Sequence, residues 1–239
     1  MGIRSTEARL VALALLAGAF ALPRCAARAQ TPASPYPSMA PVARYMMARA
    51  DEIALARSAA TAGVSADAEV MVLGSAGYVT AVTGHNGFVC IVERSWAKNL
   101  DSPDFWNPRI RSPNCFNAAA ARSVLPDYLR ITQWVMAGST MPELRQRWHA
   151  ALRARASRDP EVGAMCYMLS RNGYLGDDAG GPWHPHLMFY EPRRVADTWG
   201  AADPHSPVGA VVVGDSAVVT FLVPVARWSD GTPDSSATH

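Results

Sequence analysis

The chain has 239 residues, 49% of them hydrophobic and 18% charged, with 22 basic against 20 acidic side chains. That balance excludes a polybasic nucleic-acid binder and a chain too polar to bury a core. No apolar run approaches the roughly 20 residues that a membrane-spanning helix requires, so no membrane residence is expected once the leader described next is removed.

Arg4 and Arg9 precede an uncharged run from Leu10 to Leu22 and then the small-residue stretch CAARAQ. A charged region, a short apolar region and an A-x-A-like cleavage site in that order predict a signal peptide over residues 1–29 and an exported product, periplasmic or secreted. Lipidation at Cys25 is disfavoured by Arg24 directly before it. Removing Arg4, Arg9, Arg24, Arg28 and Glu7 leaves 18 basic and 19 acidic residues, so the exported chain is nearly neutral. Cys90, Cys115 and Cys166 then lie in an oxidising compartment. A Cys90–Cys115 bridge closes the shorter loop, although spacing alone leaves the connectivity open.

The stretch QTPASPYPS reads as a flexible linker over residues 30–37, followed by one globular domain over 38–228 and a disordered polar tail over 229–239. Ser38 and Pro41 are placed to start a helix whose apolar stripe, Val42, Tyr45, Met46, Ile53 and Ala56, runs toward Gly63. From Ala68 the period shortens to two. AEVMVLGSAGYVTAVTGHNGFVCIVERSW predicts a three-stranded antiparallel meander turned at GSAG and GHNG, with His85 as a polar turn residue. DSPDFWNPRIRSPNCFN reads as irregular, with Trp106 pinning it to the core. Two helices follow, over 117–136 and 141–156, the second started by Thr140, Pro142 and Glu143. Strand patterns return at 163–170, 183–190, 208–214 and 217–225, with Gly214-Asp215 as a hairpin turn between the last two. Strands and helices fall in blocks, which predicts an α+β fold with a mostly antiparallel sheet, an N-terminal helix and a central helical pair.

The sequence lacks G-x-S-x-G, H-E-x-x-H, C-x-x-C and a phosphate-binding glycine loop, so no catalytic signature stands out. VVVGDSAV resembles the nucleophile block of GDS-type esterases. Ser216 lies too near the end of the chain for that family's downstream partners, and the stretch reads as a turn instead. WHPHLMFY carries the strongest site candidate. In an extended strand Trp183, Pro185, Leu187 and Phe189 share one face, and His184, His186, Met188 and Tyr190 share the other. Pro185 lacks an N–H, which points to an edge strand or a cavity rim. His184 and His186 followed by Glu191 resemble the first metal motif of cupins over about eight residues; that family's second motif is not recognisable around His205, and the helical region before the strand does not suit its β-sandwich. The candidate metal set is His184, His186, Glu191 and His205, suited to zinc or iron, or to copper if Cys166 or Met168 joined it. The glycine-rich loop RNGYLGDDAGG, with Asp177 and Asp178, lies beside it as a candidate lid.

Taken end to end, SADAEVMVLGSAGY, GHNGFVCIVERSW, NPRIRSPNCFN and GPWHPHLMFY are similar to a group of uncharacterised exported bacterial proteins that carry the W-H-P-H-L-M-F motif. The resemblance implies export and carries no activity. Three functional expectations stand: binding of a metal or small ligand at the His184/His186 strand, a metal-dependent enzyme using a His/His/Glu site, or a purely structural or interaction protein. Protein partners are left open.

Overall fold

The computed structural model describes residues 34–154, 159–177, 184–212 and 216–235, all within one compact unit, Ala33–His239. Its frame is an eight-stranded sheet made of β1 (Glu69–Gly74), β2 (Gly77–Val82), β3 (Val89–Glu93), β4 (Ser112–Phe116), β5 (Met165–Met168), β6 (His186–Pro192), β7 (Gly209–Val212) and β8 (Val218–Pro224). The spatial order is β2-β1-β3-β4-β5-β6-β8-β7. Every neighbouring pair is antiparallel except β1 with β3. The fold is α+β with a mostly antiparallel sheet.

The expected meander is corrected at β3. The chain leaves β2, passes under the start of β1 and enters β3 parallel to β1, pairing Glu69 with Val89 and Val70 with Cys90. Parallel neighbours usually need a long crossover. Here residues 83–88 suffice because the loop runs against the β1 backbone: His85 N–H donates to the Asp67 carbonyl and Glu69 N–H to the Phe88 carbonyl.

Alternation sorts the strands onto two faces. On one face Ile91, Phe116, Cys166 and Tyr190 lie beneath α3 (Ala118–Ser123), α4 (Leu125–Met136) and α5 (Met141–Arg153), packed with Leu125, Tyr128, Val135 and Leu144. On the other, Cys90, Val92 and Cys115 pack with Ala56, Ala59 and Ala60 at α1 (Arg49–Arg57). Each fully buried large apolar side chain contributes about 1.5–3 kcal/mol, so these faces hold the helices to the sheet. Farther along the second face a 3₁₀ helix, Arg193–Trp199, stacks Trp199 on Phe221. Cys90 and Cys115 sit opposite each other in the β3–β4 register with their sulfurs at disulfide-bonding distance.

The expected N-terminal helix is three pieces: a 3₁₀ turn at Val42–Arg44, α1, and α2 (Ala62–Ser65). Tyr45 is the cause. Its ring is fully buried, its hydroxyl donates to the Trp106 carbonyl, and its own carbonyl accepts from Arg94 Nε. Those ties draw residue 45 into the core and leave Ala48 extended before α1 begins. Arg94 also pairs with Glu52 of α1 at 2.8 Å, with both side chains buried, and the second Glu52 contact is the Leu73 N–H. This ion pair fixes α1 to the ends of β1 and β3.

The helix expected over 117–136 breaks at Val124, because Pro126 has no N–H to return to the Arg122 carbonyl. Asn117 caps α3 by accepting the Ala120 N–H at 2.9 Å, and Glu143 accepts the Thr140 N–H at 2.7 Å at the start of α5. β4 was not expected at all: Ser112, Pro113 and Asn114 are poor strand formers, yet all five of its residues are buried.

Both expected arms are docked where the structure describes them. Ser34 Oγ donates to the Pro103 carbonyl, and Tyr36 packs on the core while its hydroxyl donates to Asp177. In the C-terminal segment Ser229 N–H donates to the Leu169 carbonyl, Asp234 N–H donates to the Ala226 carbonyl, and the Asp234 side chain is buried. Residues 229–235 are therefore part of the fold, not a loose tail.

Candidate functional site

The sheet face beneath α3–α5 does not close completely. Between it and the helices lies a cavity of about 470 Å³. β4, β6 and β8 supply its sheet side with Phe116, Met188, Tyr190, Thr220 and Leu222; α4 supplies Leu125, Tyr128 and Ile131; α5 supplies Trp148; and the segment after β3 supplies Trp96 and Leu100. The apolar lining explains why the floor matters, because the last residue of β3 in that lining is a glutamate.

Glu93 follows Val89 and Ile91 at the inward positions of β3, so alternation aims it at the helices and not at solvent. Glu93 Oε2 accepts from Asn114 Nδ2 at 2.6 Å across the β3–β4 pair. Asn114 Oδ1 in turn accepts a long contact from the Cys166 thiol at 3.7 Å, and the Cys166 sulfur lies 3.1 Å from the Tyr190 hydroxyl. Tyr190 stacks on Phe116 with ring centroids 6.2 Å apart. A polar chain, Glu93–Asn114–Cys166–Tyr190, thus crosses four adjacent strands beneath a chamber lined mainly by apolar side chains.

Burial sets the electrostatics. It pushes the Glu93 carboxyl up to about 8, although the Asn114 amide favours the charged form. The Cys166 thiol and the Tyr128 and Tyr190 hydroxyls are pushed up as well, first by burial, with Glu93 adding to each. At neutral pH the floor is uncharged and carries a protonated carboxyl able to donate or accept a hydrogen bond. Charges gather at the mouth instead, where Arg145 pairs with Asp101 at 2.5 Å and Lys98, the chain's one lysine, lies 3.7 Å from Asp104.

The histidine strand meets this cavity only in part. β6 is an inner strand between β5 and β8 and not an edge. His186, Met188 and Tyr190 alternate on the cavity face as expected, and Met188 and Tyr190 line the chamber. His184 precedes the strand; its Nδ1 donates to Asp234 Oδ2 at 2.8 Å. His186 Nδ1 donates to the His184 carbonyl at 2.9 Å, and burial pushes this imidazole down. Glu191 is offset by an odd number of positions from both histidines, and so belongs to the opposite face with Phe189, whose ring contacts Trp199. His205 is exposed after the 3₁₀ helix, with its N–H on Asp203. Among the described residues no group of three or more His, Cys, Asp or Glu side chains is gathered to hold a metal.

Asp177 is a structural hub rather than a lid residue. It accepts from Tyr36, Tyr174 and Arg109, and its N–H donates to Asp104 at 3.0 Å. Asp178, Trp183 and the Gly214-Asp215 turn lie outside the described residues. Ser216 lines the cavity, and its Oγ accepts the Val218 N–H at 3.1 Å as β8 begins.

Glu93, Asn114 and Tyr128 were missed in the sequence reading. One local signal was available for Glu93: a carboxylate at the inward phase of the apolar run VCIVE. Comparison with family models, with curated proteins and with solved structures returns no match for this chain.

Proposed function

We propose that the protein is an exported binder of a small, largely apolar ligand, held in the cavity between the sheet and α4/α5 with its polar group on Glu93. One observation carries this reading: a carboxyl, Glu93, set on the floor of a mainly apolar cavity of about 470 Å³, where burial pushes it up. Ligand pockets combine that volume range with a few convergent polar groups, and strongly shifted carboxyls concentrate at functional sites. β6 takes part through Met188 and Tyr190 and not through His186 or the preceding His184. Export is supported by the leader pattern and by Cys90 and Cys115 at bonding distance, and no described helix is long and apolar enough to cross a membrane.

Titration with Nile red, a neutral apolar dye, tests the reading. Saturable one-to-one fluorescence enhancement is expected, abolished by Met188→Trp or Thr220→Phe, either of which fills the chamber. Far-UV circular dichroism and the urea midpoint identify which variant keeps the fold. Equal, unsaturable fluorescence in the wild type and a folded variant overturns the proposal.

A further inference from the structure

We infer that the cavity selects a small apolar amine, whose ammonium group pairs with the Glu93 carboxylate while its hydrocarbon body lies among aromatic side chains. The inference rests on the cavity being a ligand site, as proposed above, and names the class of ligand.

Glu93 is a carboxyl with half its hydrogen-bonding capacity committed. Oε2 is held by Asn114, and among the described residues no ion pair includes this side chain. The groups that face it from the surrounding elements are Asn114 of β4, Cys166 of β5, Tyr190 of β6, Tyr128 of α4 and Tyr78 of β2, none of them cationic. At the mouth Arg145, Lys98 and Asp127 are engaged with Asp101, Asp104 and Arg130, and His149 stands among them. The site therefore contains a half-buried acid and an amide already donating to it, while the described cations around it are paired elsewhere, Arg94 with Glu52, Arg145 with Asp101 and Lys98 with Asp104.

That arrangement discriminates among headgroups. Asn114 donates to the carboxyl and so favours its ionised form. A bound ammonium supplies a cation for the carboxylate and a charge-assisted hydrogen bond in a mainly apolar chamber. Five aromatic residues, Trp96, Phe116, Tyr128, Trp148 and Tyr190, line the same space, and aromatic faces attract cations and repel anions. A carboxylate headgroup meets an acid and aromatic walls, and a hydroxyl headgroup gains only a neutral hydrogen bond. The binding step balances as follows: the protonated Glu93 carboxyl and the free ammonium ion form a carboxylate–ammonium pair, and the carboxyl proton passes to the buffer.

Calorimetric titration of the mature protein with hexylamine, hexanol and hexanoate, at about pH 7 in two buffers of different ionisation enthalpy, tests this. Hexylamine is expected to bind about tenfold more tightly than hexanol, the margin of a charged over a neutral hydrogen bond. It should release close to one proton per amine bound, while hexanol releases none. Glu93→Gln is expected to remove the tenfold preference for hexylamine over hexanol and to abolish the proton release. Hexanol or hexanoate binding as tightly as hexylamine overturns the amine assignment even if Glu93→Gln does not fold, because the comparison is read on the wild type. Saturable Nile red binding under those conditions leaves the ligand cavity standing; its absence removes both readings.

Discussion

Cys166 shows how a single position is decided by its surroundings. Its thiol is fully buried, lies between Asn114 and Tyr190, and is pushed up by that burial. Thiol chemistry needs both thiolate and access, and this residue has neither. The native mature protein is expected to leave a thiol reagent such as dithionitrobenzoate unreacted over minutes. Unfolded in denaturant without reductant, it should release one equivalent, from Cys166, with Cys90 and Cys115 bonded to each other. Three equivalents would remove the disulfide; rapid reaction of the folded protein would mean that the floor of the cavity opens to solvent.

At the scale of elements, the passage from β2 to β3 is the point where sequence patterning and structure part. The period-two runs of β1, β2 and β3 were legible, as were β5 to β8, since each alternates or clusters apolar side chains. Their pairing was not, because a GHNG loop serves a hairpin and a short crossover equally well. What selects the crossover is contact between backbones, and Gly84 marks it. A Cβ at this position would fall 1.9 Å from Glu69 N and 2.5 Å from the Ala68 carbonyl carbon, both rigid backbone atoms. Gly84→Ala must therefore push the loop away from β1 and strain the parallel pair. Overpacking typically costs about 1–3 kcal/mol, occasionally more, and this position belongs at the upper end because no side chain can yield. A lowered urea midpoint with unchanged slope is the expected result; a midpoint equal to that of the wild type would argue for a looser crossing. β4 was illegible for a related reason: its residues are chosen for the neighbours they meet, Asn114 for Glu93 and Cys115 for Cys90, and not for strand propensity.

For the whole molecule, the site was legible only as a strand with one interesting face. Periodicity placed Met188 and Tyr190 beside His186, but it could not bring β3, β4 and α4 to the same chamber, since that depends on strand order. The consequence for stability can be derived from Glu93 and His186, two groups whose charges the fold penalises. An unfolded glutamate ionises near 4.5, and the folded carboxyl near 8. Between those values the native state holds a proton that the unfolded chain has released, so this group's contribution is greatest at low pH and falls as pH rises through that window. His186 acts in the opposite sense: burial pushes its folded value down, so its native state resists protonation and stability is lost toward acid. Wild-type protein and Glu93→Gln share the His186 contribution, and the difference between them isolates Glu93. Urea midpoints measured from about pH 5 to about pH 9 are expected to decline more steeply for the wild type than for Glu93→Gln, with the curves separating above about pH 5 and running parallel again past about pH 8. Parallel curves throughout would mean that Glu93 ionises as it does in the unfolded chain, with water already filling the chamber on which the proposed binding depends.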